Sequence, residues 1–83
     1  MNNKSNLERE IQEMPEFVRI ALQQRSLMVA YDARPAYQQN DYIGWINRAK
    51  LDATKQKRLN QMLDELERGG VYMKMEHSPS RKN

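Results

Sequence analysis

The stretch 45-WINRAKLDATKQKRLNQMLDELERGG-70 decides the fold. Leu59, Met62, Leu63 and Leu66 are spaced i, i+3, i+4, i+7, the repeat that gathers apolar side chains on one side of an α-helix. Gly69-Gly70 follows and supplies the stop, since glycine enters the left-handed backbone that ends helices at little steric cost. Upstream, Tyr42, Ile46 and Ala49 fall in one line, flanked by Trp45 and Ile43, and predict a helix from Ala36 or Asn40 to Lys50. A short break at Leu51-Asp52 joins the two. The pair has the outline of a helix-turn-helix.

Working outward, Ser5 and Glu8 form an S-x-x-E capping box ahead of Leu7, Ile11 and Met14, which predicts a short helix over residues 1–13. Pro15 suits the first turn of a second helix, where its missing N–H costs nothing. Behind it Met14, Phe17, Val18, Ala21 and Leu22 share a face. Ser26 is placed to cap a brief third element carrying Leu27, Met28 and Tyr31, and Pro35 makes Arg34 non-helical. Strand alternation is hinted at only in Val71-Tyr72-Met73. The polar HSPSRKN end makes residues 71–83 a tail expected to be largely disordered. The fold class expected is all-α: a small bundle of four to five short helices ending in a helix-turn-helix-like hairpin, with residues 14–70 as its body.

A chain of 83 residues has room for one domain. At that size roughly 60% of the unfolded surface is buried, so stability is modest. With no cysteine, neither a disulfide nor a thiolate metal site can reinforce it. Hydrophobic residues are 39% and charged residues 30%, a surface-rich balance that suits a small helical protein. The first residues lack the apolar run of a signal peptide, and no segment approaches the ~20 apolar residues of a membrane span. A soluble, cytoplasmic protein is expected.

The net charge of +3 permits an acidic partner, but its distribution says more than its sum. Arg48, Lys50, Lys55, Lys57 and Arg58 concentrate in the middle of the chain, between acids at either side. Cations early in a helix oppose the helix dipole, at about a few tenths of a kcal/mol each. Two readings follow: a cluster kept for an anion, or a solvated face. On the helical wheel Lys57 lies in line with Asp64 and Arg68, and Arg58 with Glu65, so any basic strip is cut short within about 10 Å. Gly44 sits mid-helix on the side away from the apolar line, at about 0.5–1 kcal/mol against alanine, and suggests close approach by a backbone or a ligand. Trp45 reads as core rim, with Asp41 placed to receive its N–H. The single histidine, His77, lies in the tail, so no nucleophile–base pair has a scaffold. Neither a glycine-rich phosphate loop nor a carboxylate set with metal spacing occurs. No catalysis, cofactor or metal is expected.

From Met14 to Gly70 the chain resembles the helical C-terminal region of the YdeI/OmpD-associated proteins, also called bacteriocin-protection proteins. Their pattern runs Trp-Ile, Ala-Lys, a threonine followed by a basic residue, and a basic residue before an apolar one. Trp45, Ile46, Ala49, Lys50, Thr54, Lys55 and Arg58 match it, and MPEFVRIAL resembles the family's proline-led helix. The resemblance implies a helical, cytoplasmic, non-catalytic protein, linked through binding to protection against bacteriocins or cationic peptides. It brings no ligand residues with it. The function expected is therefore a small interaction module that holds a protein partner through Gly44, Arg48, Lys50, Lys55, Lys57 and Arg58. The alternative is a helix-turn-helix-like DNA-binding protein, with self-association through leftover apolar surface as a third reading.

Overall fold

The computed structural model describes residues 11–76. They form α1 (Glu16–Gln24), α2 (Met28–Asp32), α3 (Ala36–Arg48) and α4 (Asp52–Arg68), followed by the short strands β1 (Val71–Tyr72) and β2 (Met75–Glu76). The all-α expectation holds, with a two-stranded hairpin added at its end. Residues 11–15 are not helical, so the expected N-terminal helix does not extend over Ile11 and Met14. The Ser5–Glu8 capping box lies outside the described residues.

Two prolines start two helices in the same way. Pro15 and Pro35 occupy the N-cap positions of α1 and α3 with extended backbones, ψ 155 and 151. The carbonyl of Pro15 accepts the amides of Val18 and Arg19, and that of Pro35 those of Gln38 and Gln39. Proline's own lack of an N–H is harmless there. α1 ends in a Schellman motif: Leu27 N–H donates to Leu22 O at 2.8 Å and Ser26 N–H to Gln23 O at 3.1 Å. Ser26 therefore does not cap α2, whose N-cap is Leu27; it occupies the left-handed position that ends α1, at φ 57. The buried side chains of Leu22 and Leu27 are the apolar pair that accompanies the motif.

The helices close around Val18 and Leu22 of α1, Tyr31 of α2, Tyr42, Ile43 and Ile46 of α3, and Leu59, Met62, Leu63 and Leu66 of α4. Every member of the i, i+3, i+4, i+7 set on α4 is 3% exposed or less. Each such side chain stabilises the fold by about 1.5–3 kcal/mol through removal from water. Phe17, expected on the apolar face of α1, is instead 40% exposed.

The expected tail does not begin at Val71. Residues 71–76 form an antiparallel hairpin with Val71 opposite Glu76 and Tyr72 opposite Met75. Its two-residue turn, Met73-Lys74, has φ 51 and 68, both left-handed. Such a turn matches the twist of the strands it joins, and asparagine and glycine usually fill it. Gly69 and Gly70, at φ 72 and 73, steer the chain out of α4 into β1. His77 lies outside the described residues.

Candidate binding groove beside the last helix

The residues expected to form a basic binding surface divide once the chain is folded. A helix leaves its last four carbonyls without helical partners. In α3 two of them are reached from α4: Arg58 Nη1 donates to Trp45 O at 2.6 Å, and Lys55 Nζ to Asn47 O at 3.3 Å. The Arg58 guanidinium also lies 5.3 Å from the centroid of the Trp45 ring, a cation–π contact. Cations at a helix C-terminus complement its dipole, so the arrangement that opposed the dipole of α4 serves that of α3. Lys55 and Arg58 are half-buried clasps across the α3–α4 corner. Arg48, Lys50 and Lys57 remain exposed. Thr54 stands in the first turn of α4, whose N-cap is Leu51 with no side-chain cap bond.

Gly44 is buried, contrary to its expected exposed position. The close approach it permits comes from the protein itself. A Cβ there would meet Gln12 Cγ at 3.0 Å and Arg48 Nη1 at 3.1 Å. Residues 12 and 13 lie along α3, held by Gln12 N–H donating to Asn40 Oδ1 at 2.6 Å and Asn47 Nδ2 donating to Glu13 O at 3.4 Å. Asp41, expected to receive the Trp45 indole, accepts the Tyr72 hydroxyl at 2.6 Å.

A buried polar centre that no sequence pattern announces lies beneath the hairpin. Glu65 is 4% exposed. Its Oε1 accepts the Met73 amide at 2.9 Å together with the Tyr42 hydroxyl; its Oε2 accepts the Lys74 amide at 2.8 Å and Gln61 Nε2 at 3.1 Å. Four donors fill the acceptor positions of one carboxylate, which offsets the cost of burying it. Burial, then the bond to Glu65, pushes the Tyr42 hydroxyl well above the usual tyrosine range. Arg34, 5% exposed, donates to the Glu65 main-chain carbonyl at 3.1 Å and to Gln38 Oε1 at 3.1 Å, with its guanidinium 6.0 Å from the Tyr42 ring. Tyr72 packs edge-on against Tyr37 and Tyr42, with ring centroids 6.0 and 5.4 Å apart. The hairpin is thus pinned to α4 by a carboxylate and to α3 by an aromatic cluster.

Pinning the hairpin beside α4 leaves a groove of about 560 Å³ between them. One face of α4 supplies Lys57, Asn60, Gln61, Asp64 and Arg68, and the hairpin supplies Val71 and Lys74, with Glu65 below. The groove carries net positive character. Lys57, Arg68 and Lys74 outnumber its two carboxylates, of which Glu65 is buried and Asp64 faces Arg25 at 3.5 Å. The ion pairs among the described residues engage Arg19 and Arg25, and none engages Lys57, Arg68 or Lys74. The sequence carried a trace of this face, since Lys57, Asp64 and Arg68 align on the helical wheel. Lys57 alone is shared between the expected cluster and the groove.

No helix among the described residues is long and apolar enough to cross a membrane. No curated protein and no solved structure matches the chain. The family described as bacteriocin-protection, YdeI or OmpD-associated matches residues 12–69, from the irregular segment over Gly44 to the glycine that ends α4. The span takes in the whole helical body, the Trp45–Arg58 clasp included. The chain belongs to the YdeI/OmpD-associated, bacteriocin-protection family.

Proposed function

We propose that the protein is a non-catalytic interaction module of the YdeI/OmpD-associated type, which holds a protein partner in the groove between α4 and the hairpin. The observation that carries this reading is the groove itself: concave, open, and walled by elements fixed through the Glu65 carboxylate. A pre-formed concavity binds without first ordering its own walls, which lowers the entropic cost of association. The family's description connects its members with protection against bacteriocins, and a binding role of this kind is consistent with that connection.

The corner surface is the weaker candidate, because Lys55 and Arg58 are engaged with the α3 carbonyls. A DNA-reading helix also needs its cations at its N-terminal end. Here the first residue of α4 is Asp52, and of the three cations near that end, Lys55, Lys57 and Arg58, two are turned back onto α3. The test is capture of proteins from a cell extract by the immobilised chain, compared across two charge-reversed variants. Lys57→Glu with Arg68→Glu is expected to lose the captured species, while Arg48→Glu with Lys50→Glu retains them. The opposite pattern would move the binding surface to the corner. Duplex DNA is expected to give no anisotropy change. Binding that collapses between about 50 and 200 mM salt would instead indicate phosphate contacts.

A further inference from the structure

Resting on the groove as the binding surface, we infer that its occupant is an extended, acidic segment of a partner protein. Three cations, Lys57, Arg68 and Lys74, line the groove against two carboxylates: Glu65, buried beneath the hairpin, and Asp64, which faces Arg25, so the cations outnumber the acids there. A cationic peptide would meet repulsion from all three ends. An anionic one would find each cation available among the described residues. Asn60 and Gln61 also line the groove; Gln61 gives one N–H to Glu65 and the Asn60 oxygen accepts from Gln56, which leaves the Gln61 oxygen and the Asn60 N–H groups to pair with a peptide backbone. Val71, with the aliphatic stems of the lysines, offers apolar surface for a side chain between acids.

Dimensions fit a short strand of peptide. Lys57 and Arg68 lie eleven positions apart on α4, about 16 Å at ~1.5 Å per residue. About five extended residues at ~3.3 Å each span that length. Such a segment places acids two residues apart on one side, toward the cations, with alternate side chains facing away.

The test is fluorescence anisotropy on the full chain with a labelled ten-residue peptide of alternating glutamate and alanine in which leucine replaces one central glutamate, so that it shares the side of the acids. A lysine counterpart and a single-stranded oligonucleotide serve as competing probes. The glutamate peptide is expected to bind and the lysine peptide not to. Lys57→Glu with Arg68→Glu should weaken binding at least about tenfold, roughly 1.4 kcal/mol. The neutral pair Lys57→Gln with Arg68→Gln should give an intermediate loss, and its helicity by circular dichroism separates lost binding from lost fold. Equal binding of the lysine peptide, tighter binding of the oligonucleotide, or full affinity in the folded charge-reversed variant would overturn the inference. If the glutamate peptide fails while extract capture still depends on Lys57 and Arg68, the acidic class falls and the groove stands. If capture is indifferent to those residues, the groove falls with it.

Discussion

Arg58 makes three contacts across the corner at once: a donated hydrogen bond to Trp45 O, a guanidinium over the Trp45 ring, and an electrostatic match to the end of α3. Arg58→Ala removes all three and leaves a carbonyl without its partner. The expected cost is roughly 1.5–3 kcal/mol, read as a lower urea midpoint with an unchanged slope. Arg58→Lys keeps the charge but loses the planar fork, so it should recover only part of that stability. Full stability in Arg58→Ala would show the residue to be a solvated cation after all. Ser26 is the converse case, a residue whose replacement helps. It holds φ 57, a conformation that costs an ordinary L-residue roughly 1–2 kcal/mol. Ser26→Gly should raise stability by about 0.5–1 kcal/mol, a rise of several degrees in Tm. An unchanged or lowered Tm would argue that the Ser26 side chain contributes something the Schellman geometry does not capture. Both residues were visible in the sequence, but with the wrong jobs. A serine before an apolar run looks like an N-cap, and an arginine early in a helix looks like an anion site. Only the neighbouring element shows otherwise.

At the scale of elements, the hairpin depends on a single carboxylate. Its turn residues, Met73 and Lys74, are poor fits to left-handed backbone, and their amides are held by the two oxygens of Glu65. Glu65→Gln replaces one acceptor oxygen with a donor that faces another N–H. We expect a loss of about 1–3 kcal/mol, with faster amide exchange at Met73 and Lys74 well before the helices open. Undiminished protection at those two amides would mean the strands hold themselves. Lys74→Gly, at the exposed turn position with φ 68, should act in the other direction and slow exchange across the turn, since glycine takes positive φ without steric cost. The hairpin was barely legible in the sequence for this reason: Met-Lys carries no turn signal, and the residue that enforces the turn lies eight positions upstream, on a helix. The helices were legible because each follows its own periodicity. Leu59, Met62, Leu63 and Leu66 needed no tertiary information, whereas Ile11 and Met14 matched the same spacing and still lie in an irregular segment. There Gln12 packs over Gly44 and the backbone of residues 12 and 13 bonds to α3, in place of a short helix.

For the molecule as a whole, the core is unusual in burying tyrosines with their hydroxyls engaged. Tyr31 donates to Gln39 O at 3.3 Å, and burial, with Asp32 nearby, pushes its hydroxyl from an ordinary value near 10 up to about 12. The fold disfavours the phenolate, so this contribution to stability is fully present below pH 10 and drains away as pH rises toward 12. Alkaline unfolding should therefore set in above about pH 10 and move to higher pH in Tyr31→Phe. A stability curve flat to pH 12 in the parent chain would contradict the burial of that hydroxyl. The groove is a property of this same assembly, since it needs α4, the hairpin and the Glu65 pin together. No stretch of sequence contains it. Lys57, Asp64 and Arg68 were legible as one line on a helix, but Val71 and Lys74 reach them only after two glycines turn the chain back.

The fold divides its cations: Lys55 and Arg58 are engaged with α3, and Lys57, Arg68 and Lys74 line the groove. The most direct measurement is heteronuclear NMR on the labelled chain during titration with the glutamate peptide. Shifts at the amides of Asn60, Gln61, Asp64, Arg68, Val71 and Lys74, with those of Arg48, Lys50 and Lys55 unmoved, are the predicted result. Shifts concentrated at the α3–α4 corner, with the groove silent, would contradict it.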